Sequence, residues 1–176
     1  MVIIAFPDAE IRVYTLKEGL FSALGHDLEI LVERFEIKLE GATLSVSVDP
    51  KSLKVLHALS SGRPIPSALS ERDKRSIEET IAREVLQVDR YPRILYRATL
   101  RWEGGLPFLD GTLELCGVTR KVAFSARKAS EWYVARVRLH QPDFGIRPYS
   151  ALFGALRIQP DVEVEAKVLV ERIAQG

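Results

Sequence analysis

The chain has 176 residues, 25 Lys and Arg against 24 Asp and Glu, and 47% hydrophobic residues, so its formal net charge is +1. That balance excludes nucleic-acid binding of the kind that rests on a strongly basic surface. The lone cysteine, Cys116, excludes an intrachain disulfide framework and any cysteine-based zinc site.

At the N-terminus the apolar stretch Val2 to Phe6 is broken by Pro7, Asp8 and Glu10, and no Lys or Arg precedes it. A secretory signal pairs a basic region with about 7–15 apolar residues, and no run approaches the ~20 apolar residues of a membrane-spanning helix. These features, with the absence of disulfides, predict a cytoplasmic location and no transmembrane segment.

Period-two alternation dominates the rest of the chain and predicts half-buried strands. A first apolar strand is expected over Glu10–Thr15. Phe35, Ile37 and Leu39 alternate with Glu36, Lys38 and Glu40; after a turn at Gly41, Leu44, Val46 and Val48 alternate with Thr43, Ser45 and Ser47, which predicts a hairpin. Residues 60–66 are expected to form a loop. Ser70 and Asp73 have capping-box spacing, and Ile77, Ile81 and Val85 recur at helical spacing, predicting a helix over residues 71–86 with a mixed-charge outer face. Pro92 leads into a strand whose inward set is Ile94, Tyr96, Ala98, Leu100 and Trp102. Further alternating sets are Leu113 and Leu115; Val122, Phe124 and Ala126; Tyr133, Ala135, Val137 and Leu139; and Val162, Val164, Ala166, Val168 and Val170.

About eight antiparallel strands with one inserted helix, and no linker or repeat, predict an all-β single domain over residues 1–176, a closed barrel or a sandwich. A barrel of about eight strands is either filled by side chains or just wide enough for one small ligand. Alternation alone is compatible with both.

Several stretches resemble the YceI family, lipocalin-like proteins that bind polyisoprenoid lipids. Leu109-Asp110-Gly111-Thr112-Leu113-Glu114-Leu115-Cys116-Gly117-Val118-Thr119-Arg120-Lys121-Val122 is similar to the family's strand, Gly-Val-Thr turn and following strand. Val88-Asp89-Arg90-Tyr91-Pro92-Arg93-Ile94-Leu95-Tyr96 resembles its helix exit and Tyr-Pro strand start, and Asp143-Phe144-Gly145-Ile146 its late Asp-Phe-Gly-Ile element. Phe35 through Gly41 resembles the first hairpin. The chain departs from the pattern at Gln141, at Lys121 and in Gly25-His26-Asp27-Leu28. The resemblance implies an eight-stranded antiparallel lipocalin-like barrel with a long apolar pocket for an isoprenoid chain.

A lipid pocket is lined by apolar side chains with few polar groups near one end. The inward residues Phe35, Ile37, Leu39, Leu44, Val46, Tyr96, Leu100, Phe124, Val137 and Val164 are its candidate lining. The loop over residues 144–156, with Phe144, Arg147, Tyr149, Ser150 and Phe153, is its candidate rim. The expected partner is a polyisoprenoid or other long-chain lipid, bound without chemistry and without a cofactor. The alternative is a filled core in a protein-interaction domain, and a homodimer remains open.

Catalytic readings have less to rest on. His26 and Asp27 are adjacent, so on a strand they face opposite sides; His26 is expected to bond locally or to sit at a pocket mouth. His57 and His140 lack metal-ligand spacing, and no metal site is expected. Cys116 is expected as a small buried thiol inside a strand. There is no Gly-x-Ser-x-Gly elbow or phosphate-binding glycine loop. The glycines at 104, 105, 111, 117, 145 and 154 are expected in turns. Arg120, Lys121, Arg127, Lys128, Arg136 and Arg138 face only Glu131 in their stretch, an arrangement expected of solvent-facing strand positions or of an anion-attracting surface.

Overall fold

The computed structural model describes residues 1–18, 26–151 and 156–174. Alternating apolar residues build two antiparallel sheets. The first, six-stranded, runs in the order β1 (Val2–Ile4), β4 (Phe35–Glu40), β5 (Thr43–Val48), β8 (Ile94–Glu103), β9 (Leu106–Leu115), β10 (Val118–Ser125). The second, eight-stranded, runs β11 (Arg127–Ala129), β12 (Trp132–His140), β14 (Leu156–Leu169), β2 (Ala9–Glu18), β3 (Asp27–Val32), β6 (Leu53–Ser60), β7 (Arg63–Ile65), with the short β13 (Ser150–Ala151) beside β14.

This corrects the expectation of a closed eight-stranded barrel: among the described residues no strand pairing joins the two sheets, and there are more strands than eight. The reason lies at the corners. The chain passes between sheets at Arg34, at Asp49–Ser52 and at Ala126, and the backbone bonds there each extend a ladder of one sheet by a single position and do not reach the other: Asp49 N–H to Arg34 O at 3.0 Å beyond the β4–β5 pair, Glu33 N–H to Ser52 O at 3.1 Å beyond β3–β6, and Ala126 N–H to Pro107 O at 2.9 Å beyond β9–β10. Pro50, which has no N–H, sits in the second corner. The short β1, β7, β11 and β13 have too few residues to show a period.

The predicted hairpin pairs in register, Phe35 with Val48 through Glu40 with Thr43. The predicted helix is present as α1 (Glu71–Thr80), continued by one π-helical stretch over Ile81–Val85. Its capping box is complete: Ser70 Oγ accepts the Asp73 N–H at 3.2 Å, and Asp73 Oδ2 accepts the Ser70 N–H at 2.9 Å.

Two strands beyond the expected set, β3 and β6, pair with each other across a bulge. Glu29 faces His57 but Ile30 faces Val55, leaving Leu56 as the extra residue. The burial period of β6 breaks there, with Val55 buried and then Ala58 and Leu59.

Two glycines are required by contact. Cys116 and Gly117, at φ 50° and 75°, form the two-residue turn between β9 and β10, so Cys116 lies in a hairpin turn and not inside a strand. A Cβ on Gly117 would lie 2.7 Å from Tyr91 Cε1. Gly111 is a strand residue instead of the expected turn glycine, and a Cβ there would lie 2.3 Å from Arg97 O. Gly117→Ala is expected to cost at least about 1 kcal/mol, lowering the melting temperature by a few degrees in a thermal scan; an unchanged melt would remove the steric argument.

The outer face of the second sheet carries a charge ladder. Arg136 Nε donates to Glu165 Oε2 at 2.8 Å, Lys167 Nζ lies 3.2 Å from Glu165 Oε1, and Arg12 bonds both Glu10 and Glu29. Lys121, in the cation-rich stretch, pairs with Asp110 at 3.3 Å. Arg136 therefore belongs to a mixed ladder and not to a basic patch. Burial pushes the Glu165 carboxyl up, but hydrogen bonds from Lys167 and Arg136 outweigh it and hold the group below its ordinary range. A carboxylate depressed in the folded state stabilises above its unfolded pKa, and that stability is lost as pH falls through the folded value. Melting temperature is expected to hold near neutrality and fall in acid below the ordinary value of 4.5, with a shallower acid slope in Glu165→Gln. Equal slopes would rule Glu165 out as a contributor.

Candidate functional site

One end of the space between the sheets is solid. Ile4, Ala9, Ile37, Leu39, Leu44, Ala98, Leu100 and Ile173 are buried against one another, with Phe35 packed on them. Toward the other end the same inward positions no longer meet, and a cavity of about 550 Å³ remains, within the range that holds a small organic ligand.

Inward positions of both sheets line it: Ile11, Val13 and Thr15 on β2; Leu28, Ile30 and Val32 on β3; Val46 and Val48 on β5; Ile94 and Tyr96 on β8; Val122 and Phe124 on β10; Val137 and Leu139 on β12; Val162, Val164 and Ala166 on β14. Tyr96 and Phe124 stack with centroids 5.7 Å apart. The Tyr96 hydroxyl, pushed up to about 12 mainly by burial, donates to Val122 O at 3.0 Å and stays neutral.

Helix α1 and its π-helical continuation cover the cavity through Ile77 and Ile81, which pack on the Leu28, Ile30 and Val55 cluster while no residue of either is fully buried. The π-helical stretch widens the last turn, where Leu86 N–H bonds Ile81 O at 2.8 Å, and Ile81, Val85 and Leu86 all reach the lining. The helix is tied to β6 by Glu78, whose Oε1 accepts the Val55 N–H at 2.9 Å beside the bulge and whose Oε2 lies 3.0 Å from Lys54 Nζ. Glu78→Ala is expected to raise amide exchange over residues 71–85 at least about tenfold, since a part-buried N–H loses its acceptor, with β12 and β14 unchanged. Uniform exchange across chain and variant would show that Glu78 does not hold the helix down.

The far end of the helix is anchored by three stretches singled out in the sequence. The Tyr91 ring lies over Gly117, Cys116 Sγ donates to Leu86 O at 3.5 Å, and Phe144 and Ile146 are buried with Leu115 beside Val85, Leu86 and Val118. Burial raises the Cys116 thiol above its ordinary value, so it is a weak nucleophile.

Of the candidate ligand-binding residues, Val46, Tyr96, Phe124, Val137 and Val164 meet at the cavity. Phe35, Ile37, Leu39, Leu44 and Leu100 belong to the solid end, where β4, the start of β5 and the distal half of β8 pack together. Phe144 is buried in the helix-anchoring cluster, Arg147 is exposed between the lining residues Ile146 and Tyr149, and Ser150 is in β13. Phe153 and Gly154 lie outside the described residues. His26 lines the cavity, whereas Asp27 Oδ1 accepts the Lys17 N–H at 2.8 Å, so the two do not act as a pair. His140 Nδ1 is 2.6 Å from Asp161 Oδ1 on the outside. Among the described residues no three His, Cys, Asp or Glu side chains gather as a metal site.

Sequence reasoning missed the contributions of β2, β3 and α1. The signal was present in Leu28, Ile30 and Val32 alternating with Asp27 and Glu29, although the apolar Leu31 blurs it. The helix stripe is legible in the residues, but a stripe does not say whether it faces a core or a cavity.

Residues 14–170 match the family model described as a YceI-like domain. The fold is similar to the crystal structure of Burkholderia cenocepacia BcnA, with a TM-score of 0.63 at 10% identity over 95% of this chain and 99% of that one. It is also similar to a polyisoprenoid binding domain from Saccharophagus degradans implicated in plant cell wall breakdown, with a TM-score of 0.56 at 9% identity over 92% of this chain and 94% of that one. Comparison with curated protein sequences gave no match. Among the described residues no helix is long and apolar enough to cross a membrane. With the family model spanning all but the two ends of the chain, this protein belongs to the YceI-like family.

Proposed function

We propose that the protein binds a polyisoprenoid or another long-chain amphipathic lipid between its two sheets and does not transform it. The observation that carries this is the apolar cavity of about 550 Å³ beneath α1. Each buried methylene contributes roughly 0.8 kcal/mol, so affinity grows with chain length and few polar contacts are needed. Val46, Tyr96, Phe124, Val137 and Val164 would contact the chain. The structural likeness to a polyisoprenoid binding domain supports the ligand class. An interior of this size disfavours a filled core that serves only as an interaction surface.

The test is native mass spectrometry of protein purified without detergent, followed by mass analysis of an organic extract. A stoichiometric adduct of isoprenoid or other lipid mass, or tight uptake of added isoprenoids by ligand-free protein, is expected. Protein of bare mass that takes up no added lipid overturns the proposal.

A further inference from the structure

The cation-rich stretch of the sequence lies apart from the cavity, and the fold gives it a place of its own. Residues 118–140 hold six Lys and Arg against Glu131, in a chain whose total charge is +1, so the remainder is net negative. These cations ride on sheet edges. β10 ends the six-stranded sheet and β11 begins the eight-stranded one, and the chain passes from one to the other through Ala126. Arg127, Lys128 and Arg138 are exposed and meet no carboxylate at ion-pair distance among the described residues. Lys121, 74% exposed, shares Asp110 with Arg101, at 3.3 Å and 2.8 Å. Arg136 differs, since Glu163 and Glu165 hold it.

The same corner exposes apolar surface. Ala126 N–H bonds Pro107 O at 2.9 Å, and Pro107 stands opposite Trp102, so the tip of the β8–β9 hairpin ends beside the β10–β11 passage. Trp102 is 52% exposed and Leu106 38%. The Trp102 indole meets the Tyr133 ring edge-on at 5.9 Å, and Tyr133 pairs with Lys128. Directly paired residues share a face, so an indole held in place by a tyrosine has an ammonium group beside it. Glu103 and Glu131 are the exposed carboxylates of the two turns here.

We propose that this corner docks the protein as a peripheral contact on an anionic lipid bilayer, with Trp102 and Leu106 at the head-group level and Lys121, Arg127 and Lys128 on the lipid charges. Tryptophan settles at the membrane–water interface because its ring is apolar and its N–H polar. An anionic leaflet attracts Lys and Arg held near it. Lysines on edge strands also keep sheets from pairing with one another, but that role does not call for an exposed indole. Two part-exposed apolar side chains cover far less than the roughly 800 Å² per partner of a stable protein interface. A bilayer needs no such area, because a few anchors and several cations act together. The docking goes beyond the proposed ligand binding and does not require a loaded cavity.

The test is co-sedimentation of the full chain with vesicles of phosphatidylcholine, alone or with about one-third phosphatidylserine, at low and physiological salt. Binding to the anionic vesicles is expected to be at least about tenfold tighter than to the neutral ones, and to weaken with salt. Arg127→Gln combined with Lys128→Gln is expected to lower it roughly tenfold or more. Arg72→Gln combined with Arg75→Gln makes the same charge change on the helix and is expected to leave binding within about twofold, since distant charges are screened. In Trp132→Phe the sole tryptophan is Trp102, and its emission is expected to move to shorter wavelength on anionic vesicles as water leaves the ring. Absence of binding, equal binding to both vesicles, an equal loss in the helix variant, or unmoved Trp102 emission overturns the proposal. A single-stranded polynucleotide bound as tightly as the anionic vesicles makes the patch a nucleic-acid surface and overturns it too. Uptake of free isoprenoid by the same protein, measured separately, stands or falls independently of all of these.

Discussion

Leu39→Ala is expected to lower the free energy of unfolding by about 2–5 kcal/mol, a fall in melting temperature of roughly 4–20 °C for a domain of this size. Leu39 is 1% exposed in the solid end, surrounded by Ile4, Ile37, Leu44 and Ile173, so truncation leaves a void that close-packed neighbours fill only in part. Val164→Ala, an equally inward position on β14, removes atoms that border existing empty space, and its expected cost is below about 1 kcal/mol because no new cavity forms. Chemical denaturation of both variants reads the contrast directly. Similar losses at the two positions would mean that the space between the sheets is packed throughout.

Val137→Trp is expected to reduce lipid uptake at least about tenfold, a loss of roughly 1.4 kcal/mol or more, while the protein stays folded. Val137 lies mid-strand on β12, in register with Val164, and both line the cavity. In a filled core an indole there would overpack, at a cost of typically 1–3 kcal/mol. In a cavity of about 550 Å³ it takes the room a ligand chain would use, and the apolar area it buries offsets its ordering. Uptake measured by native mass spectrometry, beside a thermal melt, separates the outcomes. A stable variant that still loads lipid as the parent does would place the ligand elsewhere, and a variant that unfolds would show that the space is not there.

The pair explains how much of the site was legible in the residues. Leu39 and Val164 have the same signature, an apolar residue every second position on a strand with charged neighbours. Their difference is one of distance to the opposite sheet, which no local pattern encodes. For that reason the ten inward candidates divide between the cavity and the solid end. The helix was readable because its signals are local, the Ser70–Asp73 cap and the Ile77, Ile81, Val85 stripe. The π-helical continuation was not, since it depends on Tyr91 and Cys116 anchoring the exit against the β9–β10 turn.

By itself the sequence determined the antiparallel β class, the hairpin around Gly41, the capped helix and the family. Each rests on side-chain periodicity, turn chemistry or short motifs, which act over a few residues. Tertiary structure alone decided that the strands form two sheets and not a closed barrel, because at Arg34, Asp49–Ser52 and Ala126 each ladder runs one position further and stops, and among the described residues no strand pairs with the other sheet. It also decided that the sheets diverge beneath the helix, leaving the Val137–Val164 pair facing open space. Which facing side chains touch is set by the separation of the sheets, and that is a property of the packed whole.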